Sequence, residues 1–273
     1  MVGSATRSRF FKILTHAIAL IMFFPIVWMI MTSFKTEQIA FAYPPKLIFT
    51  PTLENWEIAL FGTDYLRFLR STLLITGVST IVALILGIPA AYSMAFYPTK
   101  RTDASMLWVM STRMLPPVGV IVPLYVLFQW LGWLDTYTGM VVIYAAMNIP
   151  LVIWMVRSFM LEIPFEIIEA ARLDGVTLWE EIRHMVLPLI VPGLAATALL
   201  CFIFAWNEFF FAFNLTTKTA APLSVYISSF KTAEGLFWAK MTAAATATVL
   251  PVLIAGWIAQ KQLVTGLTMG AVK

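Results

Sequence analysis

Arg113, Asn207 and Glu208 suit their surroundings least, because each stands within a long apolar run. A charge at the centre of a membrane-spanning helix costs on the order of 2.5 to 3.5 kcal/mol on insertion scales, so Arg113 must face protein, water or a ligand. Two roles are open to its guanidinium. Lining a polar cavity, it would donate hydrogen bonds to hydroxyls or to an anionic group; paired with Glu208, it would be scaffold. Asn207 and Glu208, within Trp206-Asn207-Glu208-Phe209, serve either such a path or helix packing and gating. Other reactive groups are sparse. His16 and His184 lie far apart, and the single Cys201 sits inside an apolar run, which leaves no basis for a haem or metal site and no intramolecular disulfide. A membrane-embedded enzyme or electron carrier needs several His, Cys or carboxylate groups at one depth, and this interior offers little beyond Arg113 and Glu208. No G-x-x-x-x-G-K-[ST] loop occurs, so the chain is expected to bind no nucleotide and no cofactor, and not to be an enzyme.

The elements that must position these residues are apolar spans. Hydrophobic residues make up 60% of the chain and charged ones 12%, against about 25% in soluble domains. With a mean hydropathy of +0.87, this is an integral membrane protein. The net charge of +4 comes with no basic run or aromatic RNA-binding motif, so no nucleic-acid partner is expected. Spans are expected at about 13–31, 71–96, 105–131, 139–159, 189–213 and 241–263, in a single transmembrane domain covering 1–273. The first has 19 residues and reaches roughly 28 Å at 1.5 Å each, close to a ~30 Å hydrocarbon core. It is longer than the apolar core of a signal peptide, and the small-x-small triplet Ala40-Phe41-Ala42 stands too far downstream for cleavage, so an uncleaved span is expected. The third span holds Arg113, Pro116, Pro117 and Pro123 and is not expected to be straight.

Six spans put both termini on one side. That side holds Arg7, Arg9, Lys12, Lys100, Arg101, Arg157, Arg172, Arg183, Lys261 and Lys273. The opposite side holds Lys35, Lys46, Arg67, Arg70, Lys218, Lys231 and Lys240, spread over two longer loops. The bias places both termini, and a tail at 264–273, in the cytoplasm.

One cytoplasmic stretch, 160–188, differs from the rest by combining dense charge with a helical pattern. Pro164 suits a first helical position, and apolar residues recur at Phe165, Ile168 and Ala171. Gly175 stands where a left-handed residue would end the helix. Thr177 and Glu180 have capping-box spacing for a second helix, which Pro188 is expected to limit. The result is a helix-turn-helix elbow, and Phe165, Ile168 and Trp179 lack an evident place to bury unless a partner covers them.

The elbow resembles the EAA motif of permease subunits in bacterial ABC importers. Glu169-Ala170-Ala171 is followed after three residues by Gly175, and then, after nine intervening residues, by Met185-Val186-Leu187-Pro188, with Met185 in place of the usual isoleucine. The resemblance spans nearly the whole chain and is nearest the MalG-like branch of carbohydrate permeases, through Asp174-Gly175, Trp206-Asn207-Glu208-Phe209 and Gly266-Leu267-Thr268-Met269-Gly270. It implies an all-α, six-helix type I importer fold with a cytoplasmic coupling helix, in the bacterial inner membrane. It also implies a second homologous permease, two ATP-binding subunits carrying ATP and Mg, and an extracytoplasmic solute-binding protein. ATPase coupling would fall to Glu169, Ala170, Ala171, Asp174, Gly175 and Pro188. The substrate path would involve Arg113, Asn207 and Glu208, binding-protein contact Ala220, Ala221 and Pro222, and ATPase contact through the tail Gly266, Thr268 and Gly270. The stretch Ser111 to Pro117 resembles permeases for polyols or modified glycosides; an anionic glycoside such as a sulfosugar derivative would give Arg113 a charge partner, and maltose- or trehalose-type disaccharides remain open. A stand-alone secondary transporter is the competing reading, and it leaves the elbow without a purpose.

Overall fold

The computed structural model describes residues 2–232 and 235–269, with side chains over 10–232 and 235–260. In chain order the helices are α1 (Val2–Ser33), α2 (Glu37–Ala40), α3 (Glu54–Phe61), α4 (Tyr65–Phe96), α5 (Thr102–Arg113), α6 (Pro117–Leu131), α7 (Tyr137–Met160) and α8 (Phe165–Leu173). A continuous helix then runs from Leu178 to Trp206, made of α9 (Leu178–Glu180), a π-helical turn (Glu181–Val186), α10 (Leu187–Leu189) and α11 (Val191–Trp206). Next come α12 (Phe210–Leu215), α13 (Leu223–Ser228), a minimal antiparallel ribbon of β1 (Lys231–Thr232) and β2 (Gly235–Leu236), and α14 (Trp238–Met269). By length and composition, five of these helices can cross a bilayer, or six if α5 and α6, bent by 84° at their junction, count as one broken span. That count agrees with the all-α membrane architecture expected from the sequence.

The breaks have local causes. At the α5–α6 junction, Pro116 is extended and Pro117 opens the next helix, so no α-helical bonding can pass through. Gly132 ends α6 in the left-handed region at φ 68°, with Gly132 N–H donating to Gln129 O and Trp133 N–H to Phe128 O, which closes a Schellman motif. Two expectations need correction. Pro188 does not limit the elbow's second helix: it falls in the first turn of α10, where no donor is required, after a π turn in which Leu187 N–H reaches back to Ile182 O. The last helix does not stop at 263 but continues to Met269, so Gly266 and Thr268 are helical; their side chains, and Gly270 entirely, lie outside the described residues.

The chain divides into two compact units, Met1–Leu66 with Tyr226–Leu250, and Arg67–Val225 with Pro251–Lys273. Within the first, the loop that follows α1 is folded around its end. Buried Asn55 donates through Nδ2 to Ser33 O at 3.1 Å and Lys35 O at 2.6 Å, satisfying carbonyls that a helix end leaves open. The Glu37 carboxylate accepts the Ala239 and Lys240 N–H groups, each at 3.0 Å, in the first turn of α14. Within the second unit, α7 is the central element. Val152, Met155, Val156 and Met160 pack with Ala83, Ala91 and Tyr92 of α4, with Ile168 of α8, and with Val186, Ile190 and Cys201. Small residues set these approaches: a Cβ at Gly193 would fall within the Phe159 ring, and one at Gly87 would meet the Val152 side chain.

Candidate functional site

The elbow forms because its sequence caps the two helix termini that meet at its turn. At the end of α8, Gly175 adopts φ +79°, Gly175 N–H donates to Arg172 O at 3.1 Å, and Val176 N–H donates to Ala171 O at 3.2 Å, a second Schellman closure. Two residues on, the Thr177 hydroxyl accepts from Glu180 N–H while Glu180 Oε2 accepts from Thr177 N–H at 3.0 Å. The anticipated capping box is therefore present.

Of the coupling residues expected here, Glu169, Ala170, Asp174, Gly175 and Pro188 are exposed, whereas Ala171 is buried with Ile168 against the unit's own core. Among the described residues Glu169 carries no hydrogen bond or ion pair within the chain. Ile168 finds a place to bury after all. Leu173 and Trp179, however, remain 89% and 66% exposed, and Phe165 is exposed as well. Beneath the elbow lies a cluster that the sequence reading missed. Glu181 is 1% exposed and receives Arg172 through two bonds, Nε to Oε2 at 3.0 Å and Nη2 to Oε1 at 3.2 Å, while the Tyr92 hydroxyl of α4 also donates to Oε1. The bond to Glu181 holds the Arg172 guanidinium above its ordinary pKa. One signal was available. Of the adjacent pair Glu180-Glu181, the first is consumed by the cap on the exposed side, and its neighbour, about 100° further round the helix, is the one that faces inward.

A separate cavity of about 450 Å³ opens in the same unit. It collects Thr112, Arg113, Tyr144, Asn148, Phe204 and Glu208 among apolar walls, and its volume is in the range of small-molecule sites. Arg113 sits in the last residue of α5, at the break rather than mid-helix. Its Nη1 donates to Met147 O at 3.3 Å, and its guanidinium lies 4.6 Å over the Phe204 ring. These contacts leave donors for another acceptor. Glu208 lines the same cavity, but no ion pair joins the two among the described residues: its carboxylate accepts from Phe211 N–H at 2.9 Å and Ala212 N–H at 3.1 Å, capping α12. Tyr144 donates to the Glu208 carbonyl at 3.3 Å, and Asn148 Nδ2 to Cys201 O at 3.2 Å. Asn207 does not reach the cavity, since its Nδ2 turns back to Ile203 O at 2.8 Å.

The loop after α12 also differs from expectation. Ala220, Ala221 and Pro222 are its buried foot, not its tip; the exposed part is Thr217 to Thr219. The reason is Asp135, in the turn between α6 and α7. Its carboxylate accepts the N–H groups of Thr217, Lys218, Thr219 and Ala220 together with the Thr217 hydroxyl, at 2.8 to 3.1 Å. Burial acts to raise the Asp135 pKa, but the bonds from Thr219, Ala220, Thr217 and Lys218 outweigh it and hold the group well below the usual carboxylate range. A depressed folded value means that the latch contributes fully above the ordinary pKa of about 3.9 and is lost as the pH falls through the folded value. Asp135→Ala is expected to raise amide hydrogen exchange over 217–220 by at least about tenfold at neutral pH, since a hydrogen bond to a charged acceptor is worth roughly 1.5–3 kcal/mol. Unchanged protection there would show that the latch does not hold the loop.

Comparison with known proteins decides the family. The profile described as "Binding-protein-dependent transport system inner membrane component" matches residues 83–264, which include the elbow, the cavity residues from α5 to α12 and most of α14. The chain belongs to this family of ABC importer permeases. It is 35% identical over 268 residues, 98% of this chain and 96% of the relative, to a probable ABC transporter permease, y4oR, of Sinorhizobium fredii. To the trehalose/maltose transport system permease MalG of Thermococcus litoralis it is 32% identical, with 93% of each chain covered. Its fold is similar to that of a chain from a bacterial ABC transporter importing the acidic polysaccharide alginate, with a TM-score of 0.77 at 22% identity and coverage of 95% and 97%. The permease is thus a non-catalytic membrane subunit of the carbohydrate-import type.

Proposed function

We propose that this permease forms half of the translocation path of an ATP-driven, binding-protein-dependent importer, with a second homologous permease forming the other half. Two ATP-binding subunits carry ATP and Mg, and both termini of the permease lie in the cytoplasm. The observation that carries this reading is the elbow. Its turn is capped on both sides, and it presents exposed Leu173, one turn on from the unengaged carboxylate of Glu169, and exposed Trp179 on its second helix, a surface that suits an ATPase groove. Glu169, Ala170, Asp174 and Gly175 form the docking face, Ala171 anchors it inward, and the tail with Gly266, Thr268 and Gly270 faces the same motor. On the opposite side, Thr217 to Thr219 are the part of the loop available to the binding protein, with Ala220 to Pro222 as its foot.

The substrate is a polyol or an anionic glycoside of the modified-sugar type. Arg113 supports this reading, because a cation with spare donors in a 450 Å³ cavity suits an acidic or hydroxyl-rich ligand. Similarity to the Thermococcus permease favours a trehalose- or maltose-type disaccharide as the second reading. A thermal-shift screen of the cognate binding protein against neutral disaccharides, hexitols and sulfonated or carboxylated glycosides separates them. Stabilisation by hexitols or acidic glycosides is expected, and stabilisation by trehalose or maltose alone would replace the first reading with the second.

A further inference from the structure

The Arg172–Glu181–Tyr92 cluster, in which Glu181 and Tyr92 are buried and Arg172 is partly exposed, joins three elements with different roles. Arg172 lies in the last turn of α8, the elbow's first helix. Glu181 opens the π turn of the long helix that becomes the fifth span, and Tyr92 belongs to α4, the second span. A carboxylate that is 1% exposed is costly unless its oxygens are fully engaged. Here Arg172 engages both, and the Tyr92 hydroxyl adds a further bond to Oε1. The aromatic rings of Tyr97, 4.8 Å away, and Phe165, 5.9 Å away, flank the guanidinium and limit its travel.

The other links between elbow and spans are less directional. Gly175 has open space all round a would-be Cβ, so the turn joining α8 to α9 transmits force only along the backbone. Ile168 and Ala171 meet the core through apolar contact, which resists separation more than sliding. The paired guanidinium and carboxylate have fixed geometry in two directions, and the phenol extends that geometry to a second span.

We propose that Glu181 is a positioning residue for transport: through Arg172 and Tyr92 it forms a strut that turns displacement of the elbow into movement of the second and fifth spans together. The strut rests on the elbow being the point where the ATPase acts, as proposed above. Tyr92→Phe removes the hydroxyl through which the second span engages the pair and keeps the packing of the ring. Glu181→Gln keeps the shape and removes the charge that Arg172 holds.

The measurement is solute taken up per ATP hydrolysed in proteoliposomes containing the whole complex and its binding protein, with Gly175→Pro in parallel and the melting temperature of each complex recorded. With Tyr92→Phe the ratio should fall by about tenfold, the factor for one lost bond to a charged acceptor, at unchanged ATPase rate and with a melting temperature lowered by only about a few degrees. The double variant Tyr92→Phe/Glu181→Gln should be no worse than Glu181→Gln alone. A normal ratio for both single variants, with Gly175→Pro uncoupled, overturns the strut and leaves the elbow's role standing. A normal ratio for Gly175→Pro as well overturns the elbow reading and the strut with it. Proportional loss of uptake, ATPase activity and melting temperature in both single variants assigns the cluster to folding alone and overturns the proposal.

Discussion

In proteoliposomes holding the complete importer, Gly175→Pro is expected to leave the permease inserted and ATP hydrolysis running while uptake falls by more than about tenfold, the factor that corresponds to roughly 1.4 kcal/mol. The expectation follows from three independent conflicts at one position. Gly175 has φ +79°, whereas proline is fixed near −65°. Its N–H donates to Arg172 O at 3.1 Å and would be lost. Asp174 holds αR geometry at φ −75°, ψ 0°, which a following proline disfavours. Gly175→Ala isolates the conformational part, because no neighbour lies within 4 Å of the added Cβ. The left-handed region costs alanine about 1–2 kcal/mol, so an intermediate loss of coupling is expected. Glu169→Lys tests the same surface without touching the backbone, since Glu169 is exposed and unengaged in this chain. Wild-type uptake per ATP in both Gly175→Pro and Glu169→Lys would remove the elbow from the mechanism.

Arg113→Leu is expected to lower uptake by about ten- to hundredfold, from the roughly 1.5–3 kcal/mol of a hydrogen bond to a charged group, while ATPase stimulation by loaded binding protein persists. The contacts make a merely structural loss a weak explanation. Arg113 ends α5 and gives one bond to Met147 O at 3.3 Å, while the bend beside it is imposed by Pro116 and Pro117. Arg113→Lys keeps the charge but not the planar fork and should fall between the two. For an acidic solute the defect should lie mostly with that solute, and neutral analogues should be affected less. Equal uptake by Arg113→Leu and the wild type would remove the guanidinium from the path.

The features legible in the sequence were those with a local cause. The αL glycine and capping box of the elbow, the break at Pro116-Pro117 and the apolar spans are each encoded within about a turn of the residues that make them. The features missed depend on partners far along the chain. Asp135 takes its donors from residues 82 to 85 positions away, and Tyr92 meets Glu181 across 89. Neither contact leaves any periodicity in the sequence. Glu208, offered by the sequence as an ion-pair partner for Arg113, instead caps α12 through N–H groups only three and four residues on, a local role that its place in an apolar run conceals. Pro188 reads as a stop by local rules, and only the π turn before it lets the helix pass. Ala220 to Pro222 suit an exposed tip by composition, yet they are buried, with the Ala220 N–H held by Asp135 and its side chain packed in a core cluster.

The central claim is that this permease moves solute only as part of an ATP-driven assembly. The most direct test is to purify it from its native membrane, identify what accompanies it, and measure uptake in proteoliposomes with and without internal ATP and external binding protein. The account predicts a complex with one homologous permease and two ATP-binding subunits, and uptake that requires both ATP and the loaded binding protein. Uptake by the chain alone, driven by an ion gradient and indifferent to ATP, would contradict it.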